Sequence, residues 1–291
     1  MTDEINMAAL LSTTLRDHAQ NAVRPDGRPY RRISNDAVMS VARAMGSAPR
    51  QVEMAALGDD IIPERYSRNQ NALTAGDQLR LLASTVAIVG LGGLGGTVAE
   101  VLARTGIGRL ILIDGDRFEE SNLNRQLNCT LATLATGKAA AAAARIAAVN
   151  PATETTAHPV YMTAANAAEL ISGANAAADC LDSLPARFVL EKAAAARGIA
   201  MVTAAVAGTT GQLTVIQPGD PGLKAIYGDP ADAPEKGVEV ATGNLPYTVW
   251  SVAALEAGEI VNVLLGRSAL SGRLLILDLD EMLFDAIDLT S

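Results

Sequence analysis

The pattern of hydrophobic and polar positions changes near residue 81 of the chain. Before it, apolar residues recur at the three- and four-residue spacing of amphipathic helices, and polar segments separate them. After it, short apolar runs typical of buried strands alternate with longer runs at helical spacing. Such an alternation predicts a mostly parallel, doubly wound sheet with helices on its two faces.

The predicted elements after residue 81 follow one another regularly. Strands are predicted over residues 84–90, 109–114, 156–162, 176–182, 199–206 and 211–217. Helices are predicted over residues 94–106, 137–150, 164–171, 185–198 and 248–266. Residues 273–280 and 281–289 predict a closing hairpin, whose strands are antiparallel. The predicted fold class is therefore α/β: a doubly wound, mostly parallel Rossmann-like sheet with a C-terminal antiparallel portion.

The first 60 residues predict a small helical N-terminal extension. Helices are expected over 7–23 and, after a linker rich in Pro, Gly and Arg at 24–32, over 34–57 with a break at Gly46. This helix–turn–helix pattern resembles a DNA-binding motif. We favour a helical docking hairpin, because its second helix carries Arg50 as its only basic residue. The chain is divided accordingly into an extension, 1–60, and a large domain, 61–291.

Composition narrows the class of protein. The chain has 291 residues, of which 49% are hydrophobic and 19% charged, and this excludes a disordered protein. Two cysteines exclude a disulfide scaffold, and a net charge of −9 argues against a nucleic-acid partner. The start is acidic where a signal peptide would be basic, and the uncharged stretches 81–99 and 198–219 contain turn glycines or threonines. We therefore expect a cytoplasmic protein with no membrane partner.

A glycine-rich turn follows the first predicted strand of the large domain. Gly90, Gly92 and Gly95, with Gly93 between them, form a G-x-G-x-x-G pattern that opens a helix, where free backbone N–H groups can approach a phosphate. The next predicted strand ends at Asp114, and a carboxylate there hydrogen-bonds a ribose hydroxyl. The combination predicts a nucleotide site, which by itself fits NAD or FAD as well as ATP.

The segment after Asp114 favours a nucleotide with three phosphates. It carries Arg125, a cation that a dinucleotide site does not need, and Lys138 follows at the start of the poly-alanine helix. Asp182 ends another predicted strand, at the sheet edge where open α/β folds bind ligands. Its carboxylate is a candidate ligand for Mg²⁺, which proteins commonly hold together with phosphates.

At this point the sequence resembles the ThiF/MoeB/HesA superfamily, the ubiquitin-activating-enzyme-like adenylyltransferases. The resemblance extends from Glu64 to the C-terminus and is carried by ERYSRNQ, GLGGLGG, LIDGD, SNLNRQ, GKAAAAAARI, VNP and DCLDS. It implies acyl adenylation with ATP and Mg²⁺. The C-terminal Gly-Gly carboxylate of a ubiquitin-like sulfur carrier of the ThiS or MoaD type attacks the α-phosphate, and pyrophosphate leaves.

The resemblance also implies roles for particular residues. The implied nucleotide-binding residues are Gly90, Gly92, Gly93, Gly95, Asp114, Ser121, Asn122, Arg125 and Lys138. The implied catalytic residues are Arg125, Lys138, Asp182 and Arg68. Asp182 would serve the metal, and Arg68 would reach the ATP of the other subunit in a homodimer. A carboxylate is already a nucleophile, so the chemistry needs positioning and charge stabilisation rather than a general base.

The chain departs from the family pattern in its cysteines. Many members hold a structural zinc with two Cys-x-x-Cys pairs, and this chain has only Cys129 and Cys180, so we expect no zinc site. The region 237–249, where some members carry a cysteine for a thioester or persulfide, has none. We therefore expect the reaction to stop at the acyl-adenylate or to use a separate sulfur donor. Whether either cysteine is reactive stays open.

Three alternatives remain at this point. LARTGIG followed by the NRQ loop resembles the tRNA threonylcarbamoyladenosine dehydratases, which activate a small carboxylate. The glycine motif taken alone permits an NAD- or FAD-dependent oxidoreductase. The helices of residues 1–60 permit a transcriptional regulator that uses the fold as a nucleotide sensor.

Overall fold

The computed structural model describes residues 2–231 and 239–289, which form two sheets with helices around them. The strands are β1 (Gln20–Val23), β2 (Pro29–Ile33), β3 (Ile61–Pro63), β4 (Thr85–Val89), β5 (Arg109–Ile113), β6 (Glu154–His158), β7 (Ala176–Asp179), β8 (Ala200–Ala207), β9 (Thr210–Ile216), β10 (Arg273–Asp278) and β11 (Leu283–Asp288). The helices are α1 (Thr2–His18), α2 (Asn35–Met45), α3 (Pro49–Gly58), α4 (Ala75–Ala83), α5 (Gly93–Thr105), α6 (Lys138–Val149), α7 (Ala167–Leu170), α8 (Leu184–Arg197), α9 (Lys224–Tyr227), α10 (Glu239–Thr242) and α11 (Pro246–Leu265).

The large sheet has the strand order β11-β10-β9-β8-β7-β4-β5-β6. Strands β8, β7, β4, β5 and β6 are parallel neighbours, whereas β9, β10 and β11 are joined antiparallel. Chain order reverses between β4 and β7, which creates the switch point where doubly wound folds bind ligands. The predicted fold class, including the antiparallel C-terminal hairpin, is confirmed.

The two faces of the sheet bury separate cores because strand residues alternate in direction. In β4, Val86 and Ile88 face the cluster formed with α5, α6 and α11, and Ala87 and Val89 face the cluster formed with α7 and α8. Among the described residues, one helix, α11, is long and apolar enough to cross a membrane, and 56% of its apolar window is buried inside the protein.

The N-terminal extension is not purely helical, which corrects the prediction. Helix α1 ends at His18, and the expected linker is a β-hairpin in which β1 pairs antiparallel with β2. Strand β2 also pairs in parallel with β3, so the two parts of the chain share a small sheet. Helix α4 was not predicted, and β6 begins two residues earlier than expected.

The helical hairpin α2–α3 packs on the large domain. Ser34 caps α2, its hydroxyl accepting from the N–H of Ala37, and Gly46 ends it at a φ of 61°. Arg50, the basic residue that a DNA-binding helix would present, has its Nε 2.9 Å from Glu154. The geometry therefore fits the docking hairpin that we favoured over the DNA-binding motif.

Candidate active site

A cavity of about 720 Å³ opens at the carboxyl ends of β4, β5 and β7. It continues past the ends of β8 and β9 to Ile276 of β10. Seven of the predicted site residues line it, namely Gly90, Gly92, Gly93, Asp114, Arg125, Lys138 and Asp182. The cavity thus lies at the switch point of the sheet, the position at which this topology places ligands.

The glycine turn is shaped by close backbone contacts. Gly90 has a φ of 87°, and a Cβ there would lie 2.6 Å from the carbonyl oxygen of Cys180. A Cβ on Gly95 would lie 1.8 Å from the carbonyl oxygen of Gly90. Gly95 therefore allows α5 to pack closely against the turn. It was predicted to bind the nucleotide, but it does not line the cavity.

Asp114 holds the turn in place from the end of β5. Its Oδ2 accepts from the N–H of Leu91 at 2.6 Å, and its Oδ1 accepts from the N–H of Asp116 at 2.7 Å. Each carboxylate oxygen has a second lone pair, so both can still accept from ribose hydroxyls.

Lys138 lies at the first position of α6 and is nine-tenths buried. Its Nζ donates to Oδ2 of Asp116 at 2.9 Å, and the hydroxyl of Tyr161 donates to Oδ1 of the same carboxylate at 2.6 Å. Partial burial raises the pKa of Asp116, but these two bonds outweigh it and hold that pKa below its ordinary value. The sequence did not single out Asp116 or Tyr161, although Asp116 lies in the quoted LIDGD motif.

Arg125 is held by the loop that precedes it. Its Nη1 donates to Oδ1 of Asn124 at 2.8 Å and to the carbonyl of Ser121 at 3.2 Å, while its own carbonyl accepts from Nε1 of Trp250 at 2.9 Å. Of the predicted binding residues in this loop, Ser121 and Asn122 do not line the cavity. They form a short 3₁₀ turn that supports Arg125.

Asp182 is exposed at the mouth of the cavity, beyond β7. It makes no hydrogen bond or ion pair within residues 2–231 and 239–289, so its carboxylate is available to a ligand. Below it lies a buried ion pair, in which Nη1 of Arg187 is 3.4 Å from Oδ2 of Asp179. Arg187 also donates to the carbonyls of Leu181 and Ala204, and so ties the loop after β7 to the neighbouring strand β8.

The two cysteines are not activated by their surroundings. Burial raises the pKa of Cys180 well above its ordinary value, and the nearby carboxyl of Glu256 adds to the shift. Burial also raises the pKa of Cys129, although Lys138 opposes it. Both side chains are therefore thiols near neutral pH, and a thiol is a poor nucleophile.

Arg68 is an exposed residue that does not line the cavity of its own chain. Residues that the sequence analysis did not single out complete the lining, among them Val160, Tyr161, Met162, Arg187, Gln212, Tyr227 and Asn244. They come from loops, strands and helices distant in sequence, so no local motif identifies them. Within the described residues, no group of three or more His, Cys, Asp or Glu side chains could hold a metal ion by itself.

Known proteins resemble this chain over most of its length. A family model described as the ThiF family matches residues 66–291. A SAMP-activating enzyme E1 of Haloferax volcanii is 33% identical over 230 residues, which are 77% of this chain and 84% of that protein. The adenylyltransferase and sulfurtransferase MOCS3 of Drosophila yakuba is 35% identical over 267 residues, 89% of this chain and 58% of that protein. The chain thus spans little more than half of that MOCS3 relative.

Solved structures resemble the fold. The crystal structure of E. coli MccB with ATP superposes with a TM-score of 0.67 at 18% identity, covering 88% of this chain and 79% of that one. The crystal structure of PaaA gives a TM-score of 0.64 at 22% identity, covering 78% of this chain and 73% of that one. At these identities the likeness concerns the fold.

Proposed function

The chain belongs to the ThiF family and is an adenylating enzyme, and from this premise we propose that it activates the C-terminal Gly-Gly carboxylate of a ThiS- or MoaD-like sulfur carrier with ATP. The observation that carries the proposal is the continuous cavity. One end holds the glycine turn with Arg125 and Lys138, and the other reaches the ends of β8 and β9. A nucleotide and a chain end can therefore meet inside it.

The nucleotide end of the cavity matches a triphosphate. The turn and the first N–H groups of α5 face the phosphates, and the carboxylate of Asp114 accepts from the ribose. Arg125 and Lys138 supply two positive charges close to the turn. A carboxylate oxygen of the carrier attacks the α-phosphorus, the bond to the β-phosphate oxygen breaks, and its electron pair leaves with pyrophosphate. The two cations stabilise the charge that develops on the leaving group.

A Mg²⁺ ion fits beside Asp182. Proteins usually hold this ion through one or two carboxylates together with substrate phosphates, and Asp182 offers on the cavity wall a carboxylate that no described residue pairs with. The ion would neutralise phosphate charge when bound. Arg187 keeps the backbone of Leu181 in place and thereby fixes the position from which Asp182 projects.

The acceptor end of the cavity suits a narrow chain end. Its wall includes Ala205 and Ala207 of β8, whose side chains are small, and Gln212 of β9. Small side chains on this wall leave room for an extended segment that ends in glycines. The relatives named as activating enzymes or adenylyltransferases support a ubiquitin-like carrier as the substrate.

Exchange of labelled pyrophosphate into ATP tests the proposal directly. We expect exchange with wild-type protein only when a carrier ending in Gly-Gly is present, and none with the carrier shortened by one glycine. Lys138→Ala and Arg125→Ala should reduce exchange at least about a hundredfold, because each removes charge stabilisation of the transition state. Lys192→Ala is the matched control, since Lys192 is exposed on α8 and does not line the cavity.

Other outcomes of the exchange assay would point elsewhere. Exchange driven by a small carboxylate without a carrier would favour an activity like that of the threonylcarbamoyladenosine dehydratases. Thermal stabilisation by NAD but not by ATP would contradict adenylation, because a ligand stabilises only a protein that binds it.

We also propose that the protein is a homodimer in which Arg68 completes the partner's site. Arg68 is exposed and does not line its own cavity, and this supports a role in trans. Mixing and reassociating the inactive variants Arg68→Ala and Lys138→Ala should restore about a quarter of the exchange activity, because half of the random dimers carry one intact site. No recovery in reassociated mixed dimers would contradict this arrangement.

A sulfur step, if the carrier undergoes one, is proposed to use a separate donor. Neither Cys129 nor Cys180 is a thiolate near neutral pH. The region 237–249 has no cysteine, although 237 and 238 lie outside the described residues. We expect the variant Cys129→Ser, Cys180→Ser to retain exchange activity.

A further inference from the structure

Asp116 carries two hydrogen bonds that connect two separate elements of the cavity wall. One comes from Lys138 at the start of α6, and the other from Tyr161, three residues beyond β6. The backbone of Asp116 is held as well, because its N–H donates to Oδ1 of Asp114. The lysine is almost fully enclosed, so its ammonium can point only where Asp116 and the cavity allow.

Tyr161 lines the cavity with 66% of its surface exposed. One part of its ring lies against Gly115, where a Cβ would be 2.8 to 2.9 Å from three ring atoms. The remainder faces the cavity beside Asp114, the carboxylate assigned to the ribose. The hydroxyl is held firmly by Asp116, which also raises the pKa of the phenol.

We propose that Tyr161 is a positioning residue of the nucleotide site, whose hydroxyl orients Asp116 and through it the ammonium of Lys138, while its ring forms a wall for the nucleoside. This rests on the proposed function. With one oxygen of Asp116 occupied by the tyrosine hydroxyl, the other is left to direct Lys138. When phosphate oxygens enter, the lysine can share its remaining N–H donors with them from a fixed position.

The two parts of the proposal make different demands on ATP kinetics. Tyr161→Phe keeps the ring and loses the hydroxyl, so kcat for exchange should fall about tenfold, the worth of a hydrogen bond to a charged group, with KM for ATP nearly unchanged. Tyr161→Ala loses the ring as well, and we expect KM for ATP to rise about tenfold in addition. An unchanged KM for ATP in Tyr161→Ala would contradict the role of the ring as a wall for the nucleoside.

A double-mutant cycle tests whether the hydroxyl acts through Asp116. In an Asp116→Asn background, Tyr161→Phe should change kcat less than about twofold, because the link to the lysine is already altered. Equal losses of kcat in both backgrounds would show that the hydroxyl of Tyr161 does not act through Asp116.

Gly115→Ala supplies an independent test that does not change the tyrosine residue itself. The added Cβ would displace the ring, so this variant should show the kinetic changes of Tyr161→Ala. Gly258→Ala is its matched control, since no atom lies within 4 Å of the position that its Cβ would occupy, on the exposed side of α11. Wild-type kinetics in Gly115→Ala would contradict the role of the Tyr161 ring as a wall for the nucleoside.

Calorimetric titration of ATP without a carrier separates this inference from the proposed function. If wild-type protein binds ATP but performs no exchange with any carrier, the proposed function fails. The ring is then still tested by the affinity for ATP, which Tyr161→Ala should weaken about tenfold and Tyr161→Phe should leave nearly unchanged. Equal affinity in all three proteins would overturn the ring's role alone.

Discussion

Two buried glutamates on adjacent helices respond to their surroundings in opposite directions. Burial raises the pKa of Glu256 well above its ordinary value, and the nearby Asp179 adds to the shift. Burial also acts to raise the pKa of Glu100, but hydrogen bonds from Arg145 and Arg104 outweigh it and lower that pKa. The same residue type therefore stabilises the fold over different pH ranges.

Glu256→Gln should change how the stability of the protein depends on pH. With a folded-state pKa above the ordinary 4.5, Glu256 keeps a proton that the unfolded chain releases, so stability falls as pH rises above 4.5. The slope is about 1.4 kcal/mol per pH unit until the folded-state pKa is reached. Because glutamine does not titrate, the free energy of unfolding of the variant should rise relative to that of wild type as pH increases above about 5. Urea denaturation at several pH values measures it, and a constant difference would refute the shift.

Glu100→Gln provides the comparison of opposite sign. The lowered pKa of Glu100 gives stability that is present above pH 4.5 and is lost as pH falls through the folded-state pKa. The variant should therefore be less stable than wild type at about pH 7, and the difference should shrink as pH falls below 4.5. The same denaturation series measures both variants.

At the scale of elements, the contact between α5 and α11 depends on glycine. A Cβ on Gly93 would lie 2.8 Å from Cγ1 of Val249, so the side chain of Val249 packs directly against the backbone of α5. The glycine motif that predicts phosphate binding thus also permits close packing of α5 against the sheet and against α11. The glycine motif therefore reflects both the predicted binding of a phosphate and the close packing of α5.

Two glycine-to-alanine changes should have opposite effects on stability. Gly258 lies in the middle of α11 on its exposed side, with free space around it. Gly258→Ala should therefore stabilise the protein by about 1 kcal/mol through helix propensity. Gly95→Ala would place a Cβ 1.8 Å from a backbone oxygen and should cost roughly 3 kcal/mol or more. Thermal unfolding measures both, and a stable Gly95→Ala protein would contradict the packing described for the turn.

For the whole molecule, the first 60 residues are joined to the rest through a buried contact. The hydroxyl of Tyr66 donates to Glu53 at 3.0 Å and accepts from Asn150 at 2.9 Å. Leu57 packs with Tyr66 and Leu82 in one cluster, and β2 pairs with β3. The division of the chain into residues 1–60 and 61–291 stays a prediction. In the structure, residues on both sides of this boundary belong to one hydrophobic core.

A fragment of residues 61–291 should accordingly be less stable than the full chain. The loss of Glu53 and Leu57 exposes Tyr66 and Leu82, so we expect the unfolding midpoint to fall by about 10 °C or more. Deletion of residues 1–10 is the control, because it keeps the buried Leu15. Scanning calorimetry of the full chain should show one transition, and two separated transitions would contradict a shared core.

Much of the fold could be predicted because its signals are local. Ser34 before α2, Gly106 after α5 and Pro151 after α6 mark helix boundaries that the structure retains. The β-hairpin at 20–33 could not be predicted, because its residues are polar and its pairing partner, β3, lies about 30 residues further on. The family and the enzyme class predicted from the motifs are confirmed by the comparisons.

The sequence by itself determined the succession of strands in the large sheet, the glycine turn and the carboxylates and cations that follow particular strands. Periodicity and turn chemistry act over a few residues, so a single pass along the chain can detect them. Only the tertiary structure decided that Lys138 is held by Asp116, that Asp116 is held by Tyr161, and that Gly95 supports the turn. The first two contacts join residues 22 and 45 positions apart in the chain, and the third depends on how closely α5 approaches the turn. Distances of that kind exist only once the chain has folded.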